Sequence, residues 1–196
     1  MGLSFHYSGV IANPQLLPEL IEEVRDIAGT YNWKFNVFDQ EFPDNCCGKD
    51  HYNQNIYGIS FTPPGCETIP ICFLSNGRMS SLPHLMFFGK TEDQPESDSL
   101  YMLSVKTQYA DVETHQLIIK IFRHLKEKYL TDFKLTDEGK YWETNDLELL
   151  RINFEKNLAI INSFFSALET IPMLPNESIE DYFARMLKFI KDSKGM

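Results

Sequence analysis

The hydrophobic positions along the chain change period several times, and the changes outline its elements. Leu3, Phe5 and Tyr7 alternate with polar residues until Gly9 interrupts, which predicts a first strand over 3–11 with a bulge or bend at the glycine. Asn13-Pro14 then reads as an N-cap with proline at the first helical position. The helix that follows has a core face of Leu16, Leu17, Leu20, Ile21, Val24, Ile27 and Ala28, opposite Glu19, Glu22, Glu23 and Asp26, and it stops at Gly29. Alternation returns from Trp33 to Phe38, giving a second strand and completing a β-α-β opening.

The middle of the chain favours strands. Residues 43–55 lack periodicity and predict a long polar loop. Strands are expected over 56–62 and 69–75, separated by Pro63-Pro64-Gly65, and Asn76-Gly77 signals a type I′ hairpin turn. The apolar run 82–88 predicts another strand, residues 91–99 an acidic loop, and 100–109 a further strand.

Helical spacing dominates thereafter. Asp111 caps a helix whose apolar positions run from Val112 to Tyr129, and a short extended piece follows over 133–135. After a turn at 137–142, Leu147, Leu150, Phe154, Leu158, Ile161, Phe164, Phe165 and Leu168 mark the core face of a long helix, closed by Pro172 and Pro175. A last helix spans 178–191. Strands come early and helices late, so the expected class is α+β: a single domain over 1–196, with a mostly antiparallel sheet of five or six strands and helices packed mainly on one face.

Composition narrows the function. With 196 residues and a net charge of −10, the chain is long enough for one core without metal or disulfide staples, and its charge repels nucleic acid and anionic membranes. Cys46, Cys47, Cys66 and Cys72 include an adjacent pair, which suits free thiols in a reducing compartment better than a disulfide framework. The first residues carry no secretory signal, so a cytoplasmic location is expected. Acidic clusters on the first helix, in the 92–98 loop and near the last helix point to a basic protein partner, as for an immunity protein that neutralises a basic toxin.

Catalytic chemistry has fewer footholds. The chain contains no phosphate-binding glycine loop, no G-x-S-x-G and no H-E-x-x-H. Cys47 with His51 offers a thiol and an imidazole on one loop, but no zinc-ligand spacing repeats, and neither metal nor cofactor is expected. His115 stands at a helix start, where the positive end of the dipole disfavours the cation and suits a neutral acceptor. The turn Asp137-Glu138-Gly139-Lys140-Tyr141-Trp142-Glu143 supplies carboxylates beside aromatics. Paired carboxylates do acid and base work when their environments split their pKa values. The enzymatic alternative is therefore a small hydrolase using His115 with Glu138 or Glu143, with Gln108, Tyr141 and Trp142 as ligand contacts. The plain readings are a core histidine bonded to a carbonyl and a capped turn with Trp142 packed on it.

The stretches Lys106-Thr107-Gln108-Tyr109-Ala110, Thr114-His115 and Asp137 to Thr144 resemble segments of uncharacterised bacterial proteins of similar size, over roughly residues 103–154. The resemblance implies no functional residue and no activity. It favours His115 and the 137–143 turn over the cysteine loop.

Overall fold

A computed structural model describes residues 3–89 and 98–193. Among the described residues six strands form two three-stranded antiparallel sheets, and the class is α+β. The expectation of one five- or six-stranded sheet is corrected by the pairing of the first strand. β1 (Ser4–Ile11) is central to the first sheet, between β5 (Leu103–Lys106) and β6 (Leu130–Asp137). Ser4 to Tyr7 pair with β5, but beyond Tyr7 that edge turns to a different partner. There Ile11 N–H donates to Gly77 O at 2.9 Å and Met79 N–H to Gly9 O at 2.8 Å. The 77–80 segment also holds the second sheet, with Ser80 N–H donating to Cys72 O at 3.0 Å. The second sheet runs β2 (Lys34–Val37), β3 (Tyr57–Thr62), β4 (Ile69–Phe73), so a short strip stitches two sheets along a seam.

The bulge expected at Gly9 is present as a register shift between Ser8 and Val10. A Cβ at Gly9 would stand 3.0 Å from the Phe133 ring, so the close approach of β6 requires glycine. The turn before the strip is not type I′. Gly77 alone has a left-handed backbone, at φ +85°, and its N–H donates to Leu74 O at 2.9 Å, closing a turn with the glycine last.

The run Leu82–Phe88 is a helix, α2, where a strand was expected. Ser81 accepts the His84 backbone N–H and caps it, and Pro83 sits in its first turn. A short apolar run broken only by His84 carries no clear period to separate the two structures, and only Leu85 of this one is buried. The extended piece expected over 133–135 belongs to the eight-residue β6. The acidic loop expected over 91–99 lies, through residue 97, outside the described residues.

Capped helices complete the fold. A 3-10 turn at Pro14–Leu16 leads into α1 (Leu17–Thr30), which buries Leu17, Leu20, Ile21, Val24 and Ala28. Asp111 caps α3 (Val112–Tyr129) by accepting Thr114 N–H. α4 is one turn (Tyr141–Thr144), and Asp146 caps α5 (Leu147–Thr170). α6 (Ile179–Ser193) packs on α5. Phe5, Tyr7, Phe122 and Phe133 bring β1, α3 and β6 together, with Tyr7 and Phe122 ring centroids 4.7 Å apart. No helix among the described residues is long and apolar enough to cross a membrane.

Candidate functional site

Three element ends converge on His115. Thr107 follows β5, His115 lies in the first turn of α3, and Asp137 ends β6. Strand alternation explains two of them. Leu103 and Val105 face the core, and Thr107 continues their side; Phe133, Leu135 and Asp137 do the same on β6. Thr107 Oγ1 lies 2.7 Å from His115 Nδ1, while Nε2 stands 3.1 Å from Asp137 Oδ1. That second contact lacks hydrogen-bond alignment. Phe5 and Phe154 present ring faces and edges to the imidazole, at centroid distances of 6.2 and 5.4 Å.

The Asp137 carboxylate does most of its bonding to backbone. Oδ1 accepts Gly139 N–H at 2.7 Å, and Oδ2 accepts the N–H groups of Tyr141 at 2.8 Å and Trp142 at 3.1 Å. Burial pushes its carboxyl up, but the His115 ring and the N–H groups of Trp142 and Gly139 outweigh burial and hold it below its ordinary value. Glu143 Oε1 reciprocates by accepting Asp137 N–H at 3.0 Å, an arrangement like a capping box around α4. Glu138 Oε2 accepts Ser4 N–H at 2.8 Å and pins the turn to β1.

Hydroxyl, imidazole and carboxylate in this order is the arrangement of nucleophilic hydrolases. Here Thr107, His115 and Asp137 are each 0% exposed, so the imidazole braces the junction of β5, α3 and β6 out of reach of solvent. His115 thus meets the 137–143 turn through Asp137, while Glu138 and Glu143 are spent on backbone N–H groups. Thr107 and Asp137 are the members that the choice of His115, Glu138 and Glu143 omits. The inward alternation of 103, 105, 107 and of 133, 135, 137 is the signal for them.

The expected ligand contacts are dispersed. Tyr141 is buried and accepts a hydrogen bond from Gln116 Nε2 at 2.8 Å. Trp142 meets Phe133 edge to face, and Arg123 and Lys126 stand 5.7 and 5.6 Å from its ring, so the protein's own groups already surround it. Gln108 and exposed Tyr109 line a cleft of about 280 Å³ against Ile160, Ile161, Phe164 and Phe165 of α5, and Gln108 Oε1 is buried without a partner.

The cysteine loop holds Cys46 Sγ and Cys47 Sγ 3.8 Å apart, at the edge of a cavity of about 590 Å³ shared with Pro14, Pro18 and Phe42. Burial, then the neighbouring Cys46, pushes the Cys47 thiol up to about 12, which keeps it protonated at neutral pH. Among the described residues no three His, Cys, Asp or Glu side chains are grouped to hold a metal. On α1, part of the acidic face is already engaged: Glu23 pairs with His124, Lys128 and Tyr129, and Glu19 with Lys128 at 2.8 Å.

Large apolar side chains are uncovered on α5 and α6. α5 buries Leu150 and Phe154 in the core and then continues to Thr170 with α6 packed along it. Leu158, Phe165, Ile179, Phe183, Leu187 and Phe189 remain between 40% and 65% exposed. Comparison with known proteins finds no matching family model, no similar curated protein and no similar solved structure.

Proposed function

We propose that the protein acts by binding another protein through its surface and carries out no chemistry at His115. The observation that supports this reading is a contrast in exposure. The Thr107–His115–Asp137 assembly is sealed in the core, whereas the α5–α6 hairpin leaves large apolar side chains in solvent. Contiguous apolar surface beyond a few hundred Å² on a soluble chain marks an interaction site. For the body of the molecule, a net charge of −10 favours a basic partner of the kind an immunity protein neutralises, through faster and more selective encounter.

The test is site-specific photocrosslinking in the cells that make the protein. A photoreactive residue at Phe165 or Phe189 is expected to yield protein adducts, and one at exposed Lys134 on β6 to yield none. Absence of adducts from both hairpin positions overturns the reading.

A further inference from the structure

We infer that the cavity between α2 and the outer face of the second sheet is a reactive-serine site, at which Ser81, with His84 as its base, cleaves small uncharged carboxylic esters. The inference goes beyond the binding reading above and shares no residue with it.

The cavity follows from strand phase. Tyr57, Ile59 and Phe61 of β3 face the main core, so Ser60 faces the other side of the sheet, opposite Pro70 of β4 and on the same side as Cys72. The chain reaches this side through Ser80, whose N–H donates to Cys72 O, and α2 begins two residues on. The space between is about 370 Å³, with Ser60, Pro70, Cys72, Ser81, His84 and Leu103 in its walls. That is near the small end of the range for small-molecule sites, about 300–1,000 Å³. Among the described residues no Asp, Glu, Lys or Arg lines it. A charged ligand would give up its hydration there without a counter-charge, so the site favours an uncharged one.

Two hydroxyls in the cavity carry the argument. Ser60 is 8% exposed, and among the described residues its hydroxyl has no hydrogen-bond partner, which leaves a polar group for a ligand to satisfy. Ser81 is 7% exposed, and its Oγ lies 2.7 Å from His84 Nδ1. A cap requires only that Ser81 accept the His84 backbone N–H, which it does at 3.3 Å, so the shorter contact is the one to the ring. Burial holds the imidazole below its ordinary 6.5 against a hydrogen bond with the Met102 backbone, and the ring is neutral at pH 7. A backbone bond that favours the cation is one the ring donates to a carbonyl, which leaves Nδ1 to accept the Ser81 proton. Serine, base and orienting group thus stand in the relation of an activated nucleophile. The thiol in the same walls is unsuited to the task, because burial raises Cys72 well above its ordinary range and its Sγ donates to Ile59 O at 3.2 Å.

The reaction takes water as its co-reactant. Ser81 Oγ adds to the ester carbonyl carbon while its proton passes to His84 Nδ1. The bond to the alkoxy oxygen breaks, and that oxygen takes the proton as the alcohol leaves. Water then adds to the acyl-serine, and its proton returns through Nδ1 to Ser81 Oγ as the carboxylic acid departs.

Hydrolysis of p-nitrophenyl butyrate by the untagged full chain, together with peptide mass spectrometry of the chain treated with diisopropyl fluorophosphate, reads the outcome. Steady nitrophenol release and an adduct on Ser81 are expected, both rising with pH through a midpoint below 6.5 as His84 loses its proton. Ser81→Asn keeps a good N-cap residue and should abolish both with an unchanged circular dichroism spectrum. His84→Gln leaves Ser81 and its cap in place and should slow both by about 100-fold or more. An absent adduct, an adduct on another residue, release that survives Ser81→Asn, or a His84→Gln chain as fast as wild type each overturns the inference. So does a single burst without turnover, which stops at the acyl-serine. None of these outcomes depends on whether Phe165 or Phe189 crosslinks to a partner.

Discussion

Replacing Asp137 by alanine tests the account of the buried junction most directly. The carboxylate satisfies the N–H groups of Gly139, Tyr141 and Trp142 and faces His115 Nε2, the Trp142 bond being partly buried and the other two buried. Each stranded buried donor costs roughly 1–3 kcal/mol, and local relaxation with water entry recovers part of the sum. The expected loss is about 3–5 kcal/mol, the range for breaking a buried pair by removing one member. That is a large share of a typical stability of about 5–15 kcal/mol, and at about 2–4 °C per kcal/mol it lowers the melting temperature by on the order of 10 °C. Urea denaturation followed by fluorescence and circular dichroism measures it. Asp137→Asn should fall nearly as far, because its amide turns donors toward donors. The same carboxyl sets a pH dependence. Its pKa is lowered on folding from an ordinary 3.8, so the unfolded chain binds the proton more tightly. Its contribution is complete above that ordinary value and is lost as pH falls through the lower folded value. The variant should therefore show a flatter acid limb than the wild type. A loss below about 1 kcal/mol for Asp137→Ala would refute the idea that this carboxylate organises the turn.

Other expectations follow from the same geometry. Gly139→Ala places a Cβ 2.6 Å from Leu150 Cδ1 and 3.1 Å from both Asp137 Oδ1 and His115 Nε2, so overpacking should cost about 1–3 kcal/mol in the same assay. Burial raises the Glu23 carboxyl, but Tyr129, Lys128 and His124 together bring it down to about 2. Glu23→Gln should accordingly remove a salt-sensitive stability increment that the wild type loses between its ordinary 4.5 and about 2, at under about 1 kcal/mol for so exposed a cluster, as read by acid titration at low and high salt. Burial also raises Cys66 to about 12, as it does Cys47, and raises the fully buried Cys72 further. A disulfide reagent at neutral pH should label these three slowly in the native protein and fast in urea; rapid native labelling of Cys72 would contradict its placement in β4.

Much of the fold is legible residue by residue because its signals are local. Asp111 and Asp146 sit where the caps of α3 and α5 belong, and Gly9 carries the bulge of β1. The division into two sheets is not local. It depends on β1 exchanging β5 for the 77–80 strip beyond Tyr7, a pairing that spans some seventy residues and leaves no mark in either segment's periodicity. The site was half legible. A helix start and a carboxylate-rich turn single out His115 and 137–143, but choosing among the carboxylates requires the strand phase, in which Asp137 points inward with Phe133 and Leu135. Periodicity likewise draws the apolar face of α5 without a break from Leu147 to Leu168, and it is silent on where the body stops covering that face.

The place of β1 also bears on how the chain reaches this state. Its partners, β5 and β6, lie about a hundred residues or more downstream, with Phe5 opposite Val105 on one side and Asp137 on the other. On a ribosome adding roughly 5–20 residues per second, the Ser4–Tyr7 half of the strand waits on the order of ten seconds with both edges open before β5 or β6 emerges. Leu3, Phe5 and Tyr7 are therefore a natural holding point for a chaperone, and closure of the first sheet is a late event in the life of the nascent chain.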